Sequence, residues 1–115
     1  MSNRSLGLLV EDIWESIEKI EHYTEGMTQD SFQSDEKTID AVVRNLEIIG
    51  EAAGRLPKKF TNRHPKIEWV KIKGLRNRIV HEYFGVDVQI IWQILEKDLP
   101  AFKASLKIIR VQLDS

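Results

Sequence analysis

The chain has 115 residues, 42% of them apolar and 30% charged, with a net charge of −1 and no cysteine. This length fits one domain over residues 1–115 with one core. The absence of cysteine excludes disulfides, thiolate nucleophiles and cysteine-based zinc sites, and it suits a cytoplasmic protein. No apolar run approaches the ~20 residues of a membrane span, and the N-terminal stretch turns acidic after four apolar positions, unlike a signal peptide.

Helical periodicity runs through the chain. Leu6, Val10, Ile13, Ile17 and Ile20 recur three and four apart and predict a first helix with one buried face, its acidic side carrying Glu11, Asp12, Glu15, Glu18 and Glu21. Gly26 stops it, and the turn TQDSFQSD follows with Phe32 as its anchor into the core. A second long helix starts near Ser34 or Asp35, either of which serves as its cap. Its stripe is Ile39, Val43, Leu46, Ile49 (or Gly50), Ala53 and Leu56, and Pro57 ends it. Small residues at Gly50, Ala52, Ala53 and Gly54 invite a close neighbour. The segment KKFTNRHPKIEWVKIKGL reads as a connector plus a short helix anchored by Trp69 and interrupted at Gly74. Another short helix ends at Gly85, and Asp87 caps the last one. Val88, Trp92, Leu95, Leu99, Phe102, Leu106, Ile109 and Leu113 form its stripe, widened by Ile91 and Ile94, with a kink or break expected at Pro100. Ile90 or Ile91 is a candidate for an exposed interface position. The sum is an all-α protein, a compact up-and-down bundle of about five helices.

The near-zero net charge hides a segregation. Between Arg55 and Arg78 lie nine basic residues against the single acidic Glu68, whereas the remainder holds eight basic and seventeen acidic residues. Such a block is a footprint for a polyanion, and equally the pattern of a solvated lysine-rich loop. Within and beside it, Lys58, Lys59, Lys73 and Arg78 are the candidate RNA-binding residues.

The block runs into the stretch GLRNRIVHEYFGVD, residues 74–87. Asn77 and His81, four apart, share a helical face, whereas Arg76 and His81 diverge by roughly 140° on a straight helix. Spacing therefore does not bring that pair together; the arginine stem, a helix break or a two-fold contact has to. Once together they suit metal-free cleavage of RNA. A histidine titrates near neutral pH and moves protons at the 2′-hydroxyl or the leaving 5′-oxygen. A guanidinium grips phosphate oxygens as charge builds. Asn77 would orient the imidazole or donate to the phosphate. The competing reading is a helix end bearing surface charge. His22 and His64 make no metal pattern with His81, so neither metal nor cofactor is expected. Glu47 and Glu51 lie on a polar stripe with Arg44 and Arg55, where i,i+4 ion pairing is expected.

The stretch GLRNRIVHEYFGVD with the following IIWQILEKDLP, the upstream NLEIIGEAAGRL and the opening IEKIEHYTEGMTQDSF together resemble the HepT-like branch of the HEPN superfamily over nearly the whole chain. The resemblance implies an HEPN-like helical homodimer in which Arg-x4-6-His motifs face each other across a cleft and cleave RNA without metal. It implies the toxin half of a prokaryotic toxin–antitoxin pair, with transfer RNA as the family's suggested substrate. The implied partner is a minimal nucleotidyltransferase, MntA-like, that neutralises the toxin by transferring AMP to the motif tyrosine. Carried onto this chain, Arg76 and His81 are catalytic with Asn77 beside them, and Tyr83 is the modified residue; packing of Tyr83 beside Phe84 against Trp92 is the structural alternative. A second hypothesis stands alongside: a non-catalytic helical dimer that binds nucleotide or RNA, or docks the nucleotidyltransferase.

Overall fold

The computed structural model describes residues 4–79 and 86–114. Three long helical runs build the bundle: α1 (Leu6–Thr24), α3 (Glu36–Arg55), and a C-terminal run made of α7 (Val88–Gln93), a π-helical turn (Ile94–Asp98) and α8 (Leu99–Asp114). Short helices α2 (Gln29–Gln33), α4 (Lys58–Asn62), α5 (Trp69–Lys73) and α6 (Leu75–Ile79) fill the connections, and no β-strand occurs among the described residues. The fold is all-α, as expected, with more short helices than the periodicity resolved. α2 occupies what reads in sequence as a turn. There Thr28 Oγ1 accepts from the Ser31 amide while Ser31 Oγ accepts from the Thr28 amide, and this reciprocal capping closes a single helical turn.

The ends of the long helices follow local chemistry. Ser5 caps α1 by accepting from the Leu8 amide, and Asp35 caps α3 by accepting from the Thr38 amide. That hydrogen bond to Thr38 holds the Asp35 carboxyl below its ordinary pKa. After α1 the chain turns through Gly26 at φ 76°, a left-handed conformation that an L side chain disfavours. Asp87 caps α7 by accepting from the amides of Gln89 and Ile90.

α1 packs along α3, α8 lies against α1, and α5 and α6 sit on α3. The buried apolar residues form one cluster, with Ile13, Ile17, Phe32, Leu46 and Ile79 wholly buried. Phe32 is the anchor expected of it, its ring centroid 5.3 Å from that of Trp92. On α3 the most buried line runs through Val42, Leu46, Ile49 and Ala53, while Ile39 and Val43 flank it half-buried.

The C-terminal run departs from its expected phase. The deeply buried residues are Ile91, Ile94, Leu99, Phe102, Leu106 and Ile109, whereas Val88, Trp92 and Leu95 are half-buried and Leu113 is exposed. Ile91 is therefore core, not an exposed interface residue. The step from Ile94 to Leu99 spans five residues, and it coincides with the π turn, in which the Leu99 amide donates to the Ile94 carbonyl. One extra residue per turn resets the stripe. It also answers Pro100, which has no amide to donate and whose ring crowds the preceding turn. The helix widens ahead of the proline and continues instead of breaking.

A cluster of charge and ring clasps α1 to α8. Arg110 reaches Glu11 bidentately at 2.6 and 2.8 Å and lies over the Trp14 ring at 4.2 Å, and Lys103 joins Glu21 at 2.7 Å while lying 5.2 Å from the same ring. The hydrogen bonds from Arg110 hold the Glu11 carboxyl below its ordinary value of 4.5. A depressed folded-state pKa stabilises the fold above the unfolded value and ceases to do so as pH falls through the folded one. The thermal midpoints of wild type and Glu11→Gln should therefore differ at about pH 6 and converge toward about pH 2. The gap is modest because the pair is partly open to solvent.

Candidate functional site

The candidate site grows from the corner between α5 and α6. Gly74 closes α5 by donating its amide to the Val70 carbonyl at 3.1 Å, and the chain restarts as α6 with the Arg78 amide donating to Gly74 O. Leu75 and Ile79, one turn apart, are buried and pin α6 to the core. That leaves Arg76 and Asn77 exposed and Arg78 at the flank.

Close approach to α3 sets the height of this corner. A Cβ at Gly50 would stand 3.3 Å from the Ile72 carbonyl and 3.4 Å from that of Lys73, so α3 meets the α5–α6 backbone almost directly. Ile72 and Leu75 bury their side chains around this contact. Of the small residues noticed in the sequence, Gly50 thus serves the site's placement, whereas a Cβ at Gly54 would meet nothing within 4 Å.

The two arginines go opposite ways. Arg76 turns toward α3, its Nε 3.5 Å from Glu47 Oε2, with three-quarters of its side chain in solvent. Arg78 turns toward the C-terminal run, its Nη2 donating to Asp98 Oδ2 at 2.7 Å in a partly buried pair. The structure therefore corrects the expected pairing on α3. Glu47 meets an arginine of another helix rather than Arg44 or Arg55, because α6 lies over that face of α3. Glu51 is exposed. Neither cross-helix pair is legible in sequence, since i,i+4 spacing says nothing about contacts between elements. Asp98 ends the π turn, so the irregularity that accommodates Pro100 also presents this carboxylate to Arg78.

His81 and Tyr83, with Phe84 and Gly85, lie outside the described residues. On either side of that segment, the Asp87 amide donates to the Ile79 carbonyl at 2.8 Å, so the end of α6 and the cap of α7 meet through backbone. His64 packs its ring 4.9 Å from Phe60, and His22 lies near the exposed end of α1. Among the described residues no group of histidine and carboxylate side chains is arranged to hold a metal ion.

The basic block is carried by α4, α5 and the loop between them. Lys58 and Lys73 line one broad surface depression of about 570 Å³, together with Lys71 and the exposed Val70. Lys59 is exposed on α4. A second concavity of about 130 Å³ between α5 and α8 gathers Lys66, Lys71, Arg78 and Lys97. Lys97 escaped the sequence reading because it lies in an acidic stretch; it reaches this concavity from the π turn, beside the carboxylates of Glu68 and Asp98. No helix among the described residues is long and apolar enough to cross a membrane.

A family model described as "Ribonuclease HepT-like" matches residues 13–109. The chain is 42% identical over 101 residues to "Probable ribonuclease HepT" of Thermococcus cleftensis, covering 88% of this chain and 92% of that one. It is 39% identical over 100 residues to "Putative RNase MJ0127" of Methanocaldococcus jannaschii, covering 87% and 83%. The same identity, over 98 residues, relates it to "Putative RNase TTE0752" of Caldanaerobacter subterraneus subsp. tengcongensis, covering 85% and 88%. No solved structure matches the chain. With a family model spanning most of α1, all of α3, the arginine-bearing corner and most of the C-terminal run, the chain belongs to the HepT-like ribonuclease family.

Proposed function

We propose that this protein is a metal-independent endoribonuclease, the toxin of a prokaryotic toxin–antitoxin pair. It acts as a cytoplasmic homodimer in which Arg76 and His81 of each copy face a shared cleft. The observation that carries the reading is the ribonuclease-family match over residues 13–109, which encloses Arg76 and His81 in the order Arg-x4-His. The exposure of Arg76 on a corner pinned to α3 supports it, because a phosphate-gripping guanidinium must be reachable and held.

In this mechanism His81 takes the proton of the ribose 2′-hydroxyl. The 2′-oxygen attacks phosphorus, and the bond to the 5′-oxygen breaks as that oxygen is protonated, by the second copy's histidine or by the same imidazole. Arg76 stabilises the charge gathering on the phosphate oxygens, and Asn77, exposed beside it, orients the imidazole or donates to the phosphate. Lys58, Lys59 and Lys73 hold the RNA backbone, for which transfer RNA is the first substrate to try. Arg78 contributes charge from a position fixed by Asp98. An MntA-like nucleotidyltransferase neutralises the toxin by placing AMP on Tyr83. The test is cleavage of labelled RNA in EDTA: turnover supports this chemistry, and its absence in a folded, unmodified protein removes it.

The rival reading is a non-catalytic dimer that binds RNA or nucleotide, or docks the nucleotidyltransferase. It is favoured by the depression that joins Lys58, Lys71 and Lys73, a surface suited to polyanions without chemistry. Charge reversal separates the two. Lys58→Glu, Lys59→Glu and Lys73→Glu together should weaken RNA binding and reduce the salt dependence of log affinity by about 0.7 for each phosphate no longer neutralised. At saturating protein in single turnover, bound RNA is still cut if the protein is a ribonuclease, and left whole if it only binds.

A further inference from the structure

We infer that Glu47 is a positioning residue for Arg76, holding the guanidinium by its Nε so that its outer edge meets the phosphate; this deepens the ribonuclease reading and rests on it. The family match assigns Glu47 no role, and the local pattern on α3 gives it only surface ion pairing. The contact comes from packing. Leu46 and Ile49, which flank Glu47 on α3, are wholly buried, so the backbone that carries the carboxylate is fixed. Gly50, just beyond, lets the α5–α6 corner settle onto α3, and buried Leu75 locks the residue immediately before Arg76. Glu47 Oε2 then stands 3.5 Å from Arg76 Nε.

The chemistry favours this atom. A guanidinium offers five N–H donors in a planar fork, and a phosphate takes two of them side by side. A carboxylate at Nε steers the plane while the Nη groups face outward. An arginine as exposed as Arg76 would otherwise spread over many rotamers, and ordering it during the reaction would cost rate. The pair is long and partly solvated, so it adds little to stability. Its effect is directional. It also offsets part of the arginine's charge in the ground state, so its removal should not weaken RNA binding. The expected signature is a fall in kcat without a rise in KM.

The experiment measures kcat and KM for RNA cleavage in wild type, Glu47→Ala and Glu47→Gln, with each variant's fold checked by circular dichroism. Alanine has the strongest helix propensity, so α3 should persist. Glu47→Ala should lower kcat by roughly 10-fold at unchanged or lower KM. Glu47→Gln, whose amide oxygen keeps a polar group facing Nε, should recover most of the loss. In single turnover the same Glu47→Ala change in an Arg76→Gln background should have no further effect, because nothing remains to be positioned. An unchanged kcat in Glu47→Ala, beside an inactive Arg76→Ala, would overturn the inference and leave the ribonuclease reading standing. An equal loss in the Arg76→Gln background would overturn it too. Wild-type protein that cleaves nothing would instead remove the ribonuclease reading itself, and this inference with it.

Discussion

His81→Ala should lower RNA cleavage by about 10²–10⁴-fold, the usual contribution of a positioned general acid–base. Arg76→Ala should cost about 10²–10³-fold, the scale of removing one donor to a developing oxyanion. Arg76→Ala should keep the wild-type helical signal and a stability within the ~0.5 kcal/mol expected of surface changes, and cleavage by His81→Ala is compared only at a matched helical signal. For Arg76 the structural reason is explicit: α6 is held by buried Leu75 and Ile79, while the arginine side chain is three-quarters exposed. The measurement is cleavage of labelled RNA in EDTA, with mixed dimers of wild-type and variant chains as a further arm. If a single imidazole serves as both base and acid at a shared cleft, His81→Ala and Arg76→Ala chains mixed together should regain activity in the hybrid site, whereas division of acid and base between the two histidines should leave the hybrid inactive. A folded His81→Ala protein that cuts RNA at the wild-type rate would defeat the mechanism.

Modification of Tyr83 is the second large effect. An AMP group two residues from His81 brings a phosphodiester charge and a nucleoside. Under the proposed mechanism the charge would compete with RNA for Arg76, and the bulk would occupy the proposed cleft. Co-expression with a minimal nucleotidyltransferase should therefore give protein that carries AMP on Tyr83, seen by mass spectrometry, and that no longer cleaves RNA. Tyr83→Phe should remain active and escape neutralisation, because the phenol oxygen is the acceptor and the ring is kept. Neutralisation of Tyr83→Phe as complete as that of wild type would show that the partner acts by binding alone.

The helical class, the three long runs and most of their boundaries were legible in the sequence. Periodicity and capping act within about four residues, and the side chains that decide them are neighbours in the chain. Asp35 and Asp87 cap where the sequence placed caps, and Phe32 anchors as expected. The misses share one cause. α2 depends on a reciprocal pair of hydroxyl caps that reads as turn composition. The phase of the C-terminal run is reset by a π turn, which no 3.6-residue template anticipates. Helical spacing offers Glu47 partners on its own helix, yet its partner comes from α6.

The sequence by itself determined which groups are present and in what order: a basic block, an Arg-x4-His-x-Tyr stretch and a glycine where a neighbour needs room. The tertiary structure decided which carboxylates the arginines meet. Gly50 brings backbone to backbone, and that contact gives Arg76 to Glu47. An extra residue in one helical turn gives Arg78 to Asp98, twenty residues along the chain. Pairings of this kind depend on the distance between helix axes, and a one-dimensional pattern records only the rotation about each.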